Sequence, residues 1–138
     1  MDDLATAALE DGDTAKAEQY ASEALKLASE FRNSWNYGNA IHKGNIILGR
    51  IALQSGDVTG AEQHLLAAGQ TPGSPQLDSF GPNMTLAKDL LEKGERDTVL
   101  AYLQECAKFW KMGGSQLQEW VAKVKAGGIP DFGANLLY

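Results

Sequence analysis

The chain has 138 residues, 43% of them hydrophobic and 22% charged, and 12 Lys plus Arg against 18 Asp plus Glu leave a formal net charge of −6. This length and apolar fraction suit one packed domain and exclude disorder along the whole chain, while a single cysteine excludes an internal disulfide framework. The acidic balance argues against nucleic acid as a partner, and no apolar run approaches the roughly 20 residues of a membrane helix.

The first residues, Met1-Asp2-Asp3, are acidic where a secretory leader is basic, so a cytoplasmic location is expected. A first helix-turn-helix unit, about residues 1–33, passes through Leu4 and Leu9 to Gly12-Asp13, then through Ala17, Ala21 and Ala24. A short aromatic connection, Phe31 to Asn39, carries Trp35 and Tyr37. The second unit, about residues 37–70, has Ile41, Ile47, Leu48, Ile51 and Ala52 at helical period, then Gly56-Asp57, then Ala61, Ala67 and Ala68. Thr71 to Pro82 is rich in Pro, Gly and Ser and reads as a long loop, functional or a structural plug, with Leu77 and Phe80 anchoring it. Pro82 suits the first turn of the helix that follows.

The third unit, about residues 81–111, places Met84, Leu86, Ala87, Leu90 and Leu91 before Gly94, and Val99, Leu103 and Cys106 after it. The three turn glycines stand where a helix ends on a left-handed residue. Asp13 and Asp57 are placed to accept the first free N–H groups of the next helix, with Glu95 or Asp97 a poorer substitute in the third turn. Ser115 with Gln118 forms a capping-box pattern opening a helix over about 115–126, with Leu117, Trp120, Val121 and Val124 on one face. That segment is expected to cap the array at its C-terminal end. The tail 127–138 is apolar, which points to packing back onto the helices or inserting into a neighbouring molecule.

These units repeat one another. Leu9, Gly12, Asp13, Ala17, Glu18, Gln19 and Ala24 recur 44 residues on as Leu53, Gly56, Asp57, Ala61, Glu62, Gln63 and Ala68, and a looser copy follows 38 residues later. The second unit, with Leu48-Gly49, Gly56-Asp57, Ala61, Leu65, Ala68 and Pro72, resembles the tetratricopeptide repeat (TPR) family. The first unit shares Leu4, Gly12, Ala17 and Ala24-Leu25 with that pattern, and the third Leu86-Ala87, Gly94, Leu103 and Cys106-Ala107. Ala52 and Leu65 replace its large aromatics, and the spacings exceed the usual ~34 residues, which implies insertions. The resemblance implies an all-α, TPR-like α-solenoid of about three units in one domain, and a concave groove that binds a peptide or a partner helix.

The chemistry-bearing motifs fail on context. Gly44 to Ile51 approaches a P-loop, but Arg50 and Ile51 stand where Lys and Ser or Thr belong. Asp131-Phe132-Gly133 lacks the other kinase motifs. His42 and His64 lie on different helices without ligand spacing, and Cys106 takes a small-residue packing place that predicts a buried, inert thiol. No catalytic, metal or cofactor role is expected. Asn39, Lys43, Ile46 and Arg50 fall on one face of a helix, and Lys88 holds in the third unit the place of Arg50. This strip is the expected partner site, suited to an acidic segment or a chain-terminal carboxylate. Two alternatives are homodimerisation or a scaffold role in a larger protein, through Trp35, Tyr37, Trp110 or the tail, and a small-molecule pocket near His42, Trp35 and the long loop.

Overall fold

Gly12, Gly56 and Gly94 hold positive φ angles of 82°, 88° and 85°, each at the end of a helix. In every case the glycine N–H donates three residues back and the next N–H donates five back. The pairs are Gly12 to Leu9 and Asp13 to Ala8, Gly56 to Leu53 and Asp57 to Ala52, and Gly94 to Leu91 and Glu95 to Leu90, all between 2.9 and 3.1 Å. This double closure satisfies carbonyls that a helix end leaves open, and it requires the left-handed residue that glycine adopts without steric cost. Asp13 Oδ1 then accepts from Lys16 N at 3.1 Å and Asp57 Oδ1 from Gly60 N at 2.9 Å. Glu95 makes no such bond, so the third turn starts its next helix without a side-chain cap.

The computed structural model describes residues 2–30 and 37–137, and the expectations resting on Phe31 and Trp35 lie outside them. Among the described residues all regular structure is helical. The turns join α1 (Asp2–Glu10) to α2 (Thr14–Glu30), α3 (Tyr37–Gln54) to α4 (Val58–Gly69), and α6 (Thr85–Glu92) to α7 (Arg96–Cys106). A short α5 (Pro75–Phe80) precedes the third pair, and α8 (Gly114–Lys125) follows it. Turns of 3-10 helix occupy Lys111–Gly113 and Gly133–Leu136. None of these helices is long and apolar enough to cross a membrane.

Each hairpin packs within itself and against the next: α2 and α1 against α3, then α3 and α4 against α6, and α4 against α7. α3 is the shared member, and two of its positions explain how. A Cβ on Gly44 would come within 2.8 Å of Leu25 Cγ on α2, and one on Gly49 within 2.3 Å of Leu86 Cδ2 on α6 and 3.1 Å of His64 Cβ on α4. The missing side chains therefore set how closely α3 approaches its neighbours on both sides. Adjacent residues of α3 also serve different cores. Ile47 joins Ala5, Ala8, Leu9, Ala17 and Ala21, whereas Ile46 joins the larger cluster that runs from Leu53 to Phe132.

Four local expectations are corrected. The 71–82 segment is not all loop: Ser74 Oγ accepts from Leu77 N at 3.0 Å and Pro75 sits in the first turn, so a Ser-Pro start builds α5. Leu77 anchors it, but Phe80 is 56% exposed, and Pro82 is buried ahead of α6 instead of opening it. Ser115 does not cap α8, which begins at Gly114 because the preceding 3-10 turn runs straight into it.

The tail packs back. Phe132 stands edge-on to Trp120 at 5.0 Å, and Trp120 lies 5.5 Å from Trp110. Asn135 fastens the strand of chain before α6: its carbonyl accepts from Met84 N at 2.9 Å, and its Nδ2 donates to Phe80 O and Pro82 O at 3.0 and 2.9 Å.

Replacing Gly56 by Ala puts a Cβ into the left-handed region and should lower stability by about 1–2 kcal/mol. Gly114→Ala, in right-handed backbone with nothing within 4 Å of the new atom, should raise stability by up to about 1 kcal/mol. Urea midpoints that move in the same direction for both variants contradict this assignment of the turn.

Candidate functional site

Helical spacing puts Asn39, Lys43, Ile46 and Arg50 on one face of α3, but their environments differ. Ile46 is 1% exposed and belongs to the core. Asn39 serves the connector to α5, donating through Nδ2 to Gln76 Oε1 and accepting at Oδ1 from Ser74 Oγ. Lys43 is half-buried. Arg50 and Lys88 are also half-buried, and Arg50 lies farther along α3, at the edge that faces the end of α6.

At that junction a shallow cleft of about 410 Å³ is lined by Arg50, Leu53 and Gln54 from α3 and by Asp89, Glu92 and Lys93 at the end of α6. Each triplet follows an i, i+3, i+4 step, which brings three side chains to one edge of a helix. Two cations and two anions share the walls, so the cleft carries no net charge. Arg50 Nε is shielded from solvent and has no hydrogen-bond partner. Asp89 is half-buried, and burial raises the pKa of its carboxyl, with the Arg50 cation opposing the rise and Glu92 adding to it. Among the described residues, Arg50 and Asp89 form no ion pair and no side-chain hydrogen bond with each other or with other protein groups.

The region around His42 is arranged differently. Its ring is 3% exposed. Asn83 N donates to Nε2 at 2.8 Å, so the neutral ring carries its proton on Nδ1 and donates it to Ala68 O at 3.1 Å. Tyr102 lies parallel to the ring at 6.4 Å and donates from Oη to Asn83 O at 2.8 Å, while Phe109 meets the ring edge-on at 6.0 Å. Burial, with a smaller contribution from the Lys43 charge, pushes the His42 pKa down to about 4 against the raising effect of the Ala68 carbonyl. Both ring nitrogens are thus committed to backbone groups, which leaves neither for a ligand.

His64 is committed to a side chain: Asn45 Nδ2 donates to Ile41 O at 2.8 Å, and His64 Nδ1 donates to Asn45 Oδ1 at 3.0 Å. The Cys106 thiol is buried, and burial raises its pKa well above the ordinary thiol range, so it stays protonated. No three His, Cys, Asp or Glu groups among the described residues converge as metal ligands.

Of the strip read from spacing, only Arg50 lines the cleft; Leu53, Gln54, Asp89, Glu92 and Lys93 are not in that strip. The signal was present as two charged i, i+3, i+4 edges, but which edges of α3 and α6 face each other follows from the packing at Gly49 and Leu86. Compared with protein-family models, curated proteins and solved structures, the chain matches none.

The His42 geometry makes stability depend on pH. The folded-state pKa lies below the ordinary 6.5, so the unfolded chain takes up a proton that the native state refuses. The stabilisation is present above pH 6.5 and is lost as pH falls toward 4, amounting to about 2 kcal/mol between pH 7 and pH 5. His64, also lowered by burial, adds in the same direction. Urea unfolding of the wild type and His42→Gln should show a stability gap that narrows by about that amount from pH 7 to pH 5. A gap equal at both pH values contradicts a buried neutral ring.

Proposed function

We propose that the chain is a non-catalytic protein-interaction domain of TPR-like architecture, with the α3–α6 cleft receiving a peptide segment of a partner protein. The architectural part is supported by the thrice-repeated glycine turn and by the way each hairpin packs on the next. In such a row the first helices of successive hairpins lie side by side and form the recognition face. α3 and α6 are those helices here.

The observation that carries the binding reading is the pair Arg50 and Asp89, opposite charges lining one cleft and each without a hydrogen bond to the protein. Polar groups taken partly out of water cost stability when unpaired, and a ligand that pairs them recovers that cost on binding. The strip of Lys43, Arg50 and Lys88 on its own suggests an acidic partner. Asp89 and Glu92 balance Arg50 and Lys93, which favours a segment of low or mixed charge. The competing readings have less support: of the residues offered for dimerisation, Trp110 is 5% exposed and the tail is held to the protein through Phe132 and Asn135, and His42 has no free nitrogen to offer a small molecule or a reaction.

The immobilised chain, panned against a random library of displayed linear peptides, should enrich sequences whose affinity falls about tenfold or more on Arg50→Glu, with the far-ultraviolet helical signal unchanged. No enrichment, or enriched peptides indifferent to Arg50→Glu, contradicts the proposal.

A further inference from the structure

We infer that the α3–α6 cleft reads the main chain of an extended peptide, with the Arg50 guanidinium donating to a backbone carbonyl and the Asp89 carboxylate accepting from a backbone N–H. This inference rests on the peptide-binding reading above and specifies its chemistry.

Arg50 presents donors only and Asp89 acceptors only. The two lie across one cleft within electrostatic reach of each other, yet they do not close into an ion pair. Their helices are held by packing that neither side chain controls, the seating of Leu86 against Gly49 and of Ile46 in the core. The core therefore sets where the two residues sit on facing helices, with their charged groups unpaired across the cleft.

A group that fits it must offer an acceptor and a donor together while carrying no net charge. A carboxylate is drawn to Arg50 and repelled by Asp89 and Glu92; an ammonium is drawn to Asp89 and repelled by Arg50 and Lys93. The peptide unit is neutral and carries a carbonyl and an N–H that both need partners once shielded from water. Leu53, 8% exposed, gives the cleft an apolar floor for a side chain of the ligand, and the shallow shape suits an extended chain better than an enclosed small molecule. Recognition of this kind depends weakly on ligand sequence, because every residue supplies the same two groups.

The probe is acetyl-trialanine N-methylamide, which has peptide units and no charged or polar side chain, titrated into the nitrogen-15-labelled full chain. The Arg50 Nε–H resonance and the Leu53 and Asp89 amides should shift together and saturate. Arg50→Leu and Asp89→Leu should each weaken binding about fivefold or more, whereas Arg50→Gln and Asp89→Asn, which keep a neutral donor and a neutral acceptor, should weaken it less than their leucine counterparts. Far-ultraviolet circular dichroism confirms that the variants compared are folded. Sodium acetate shifting the Arg50 resonance as strongly as the blocked peptide overturns the inference, because the cleft is then a simple anion site. Absence of a saturable shift with the blocked peptide overturns it too. If displayed peptides are enriched while the blocked trialanine does not bind, this inference falls and the peptide-binding reading stands. If the library also yields nothing, both fall.

Discussion

His42 sits where α3, the last turn of α4 and the chain leading into α6 meet, and it satisfies a backbone group on each side only as the neutral Nδ1–H tautomer. Ala68 O takes the proton and Asn83 N–H gives one to Nε2. The same connector is held from two further directions: Tyr102 on α7 binds Asn83 O, and Asn135 in the tail binds Phe80 O, Pro82 O and Met84 N. Apart from Phe80 O, these polar groups belong to buried residues, and leaving such a group unpaired costs about 1–3 kcal/mol. The segment between the second and third hairpins is therefore fixed by a connected set of bonds drawn from α3, α4, α7 and the C-terminal tail.

That fixation bears directly on the cleft. α6 begins immediately after the connector, at Thr85, and its N-terminal neighbour Asn83 orders it further by accepting from Thr85 N at 2.9 Å. Leu86 then fits the space left by Gly49, and the end of α6 comes to rest beside the end of α3. Arg50 and Asp89 line one cleft because the packing of α3 on α6 places them there. Under the proposed peptide-binding reading, polar groups positioned by distant packing would need little reorganisation when a ligand arrives, which favours affinity.

The parts of this arrangement legible in the sequence are the local ones. Gly12-Asp13 and Gly56-Asp57 encode a helix end, a left-handed residue and a cap within a few positions, and the structure realises all three. Ser74-Pro75 encodes α5 with equal locality, but the surrounding Pro, Gly and Ser read as loop and obscured it. For Asn39, Lys43, Ile46 and Arg50, spacing assigns residues to a shared face without saying what covers that face. Ile46 shares a face with Lys43 and Arg50 yet lies in the core, and Asn39 holds Ser74 and Gln76. The task of His42 was not legible at all. Its partners are backbone groups 26 and 41 residues away, and backbone groups leave no mark in side-chain composition.

The protonation of His42 tests the account most directly. A long-range proton–nitrogen correlation spectrum of the folded chain at pH 7 reports which ring nitrogen carries hydrogen. The account requires a neutral ring with hydrogen on Nδ1 and a bare Nε2, together with an Asn83 amide that exchanges slowly with solvent. A doubly protonated ring, or hydrogen on Nε2, contradicts it, because the Asn83 N–H would then have no acceptor and the connector beneath the cleft no anchor on α3.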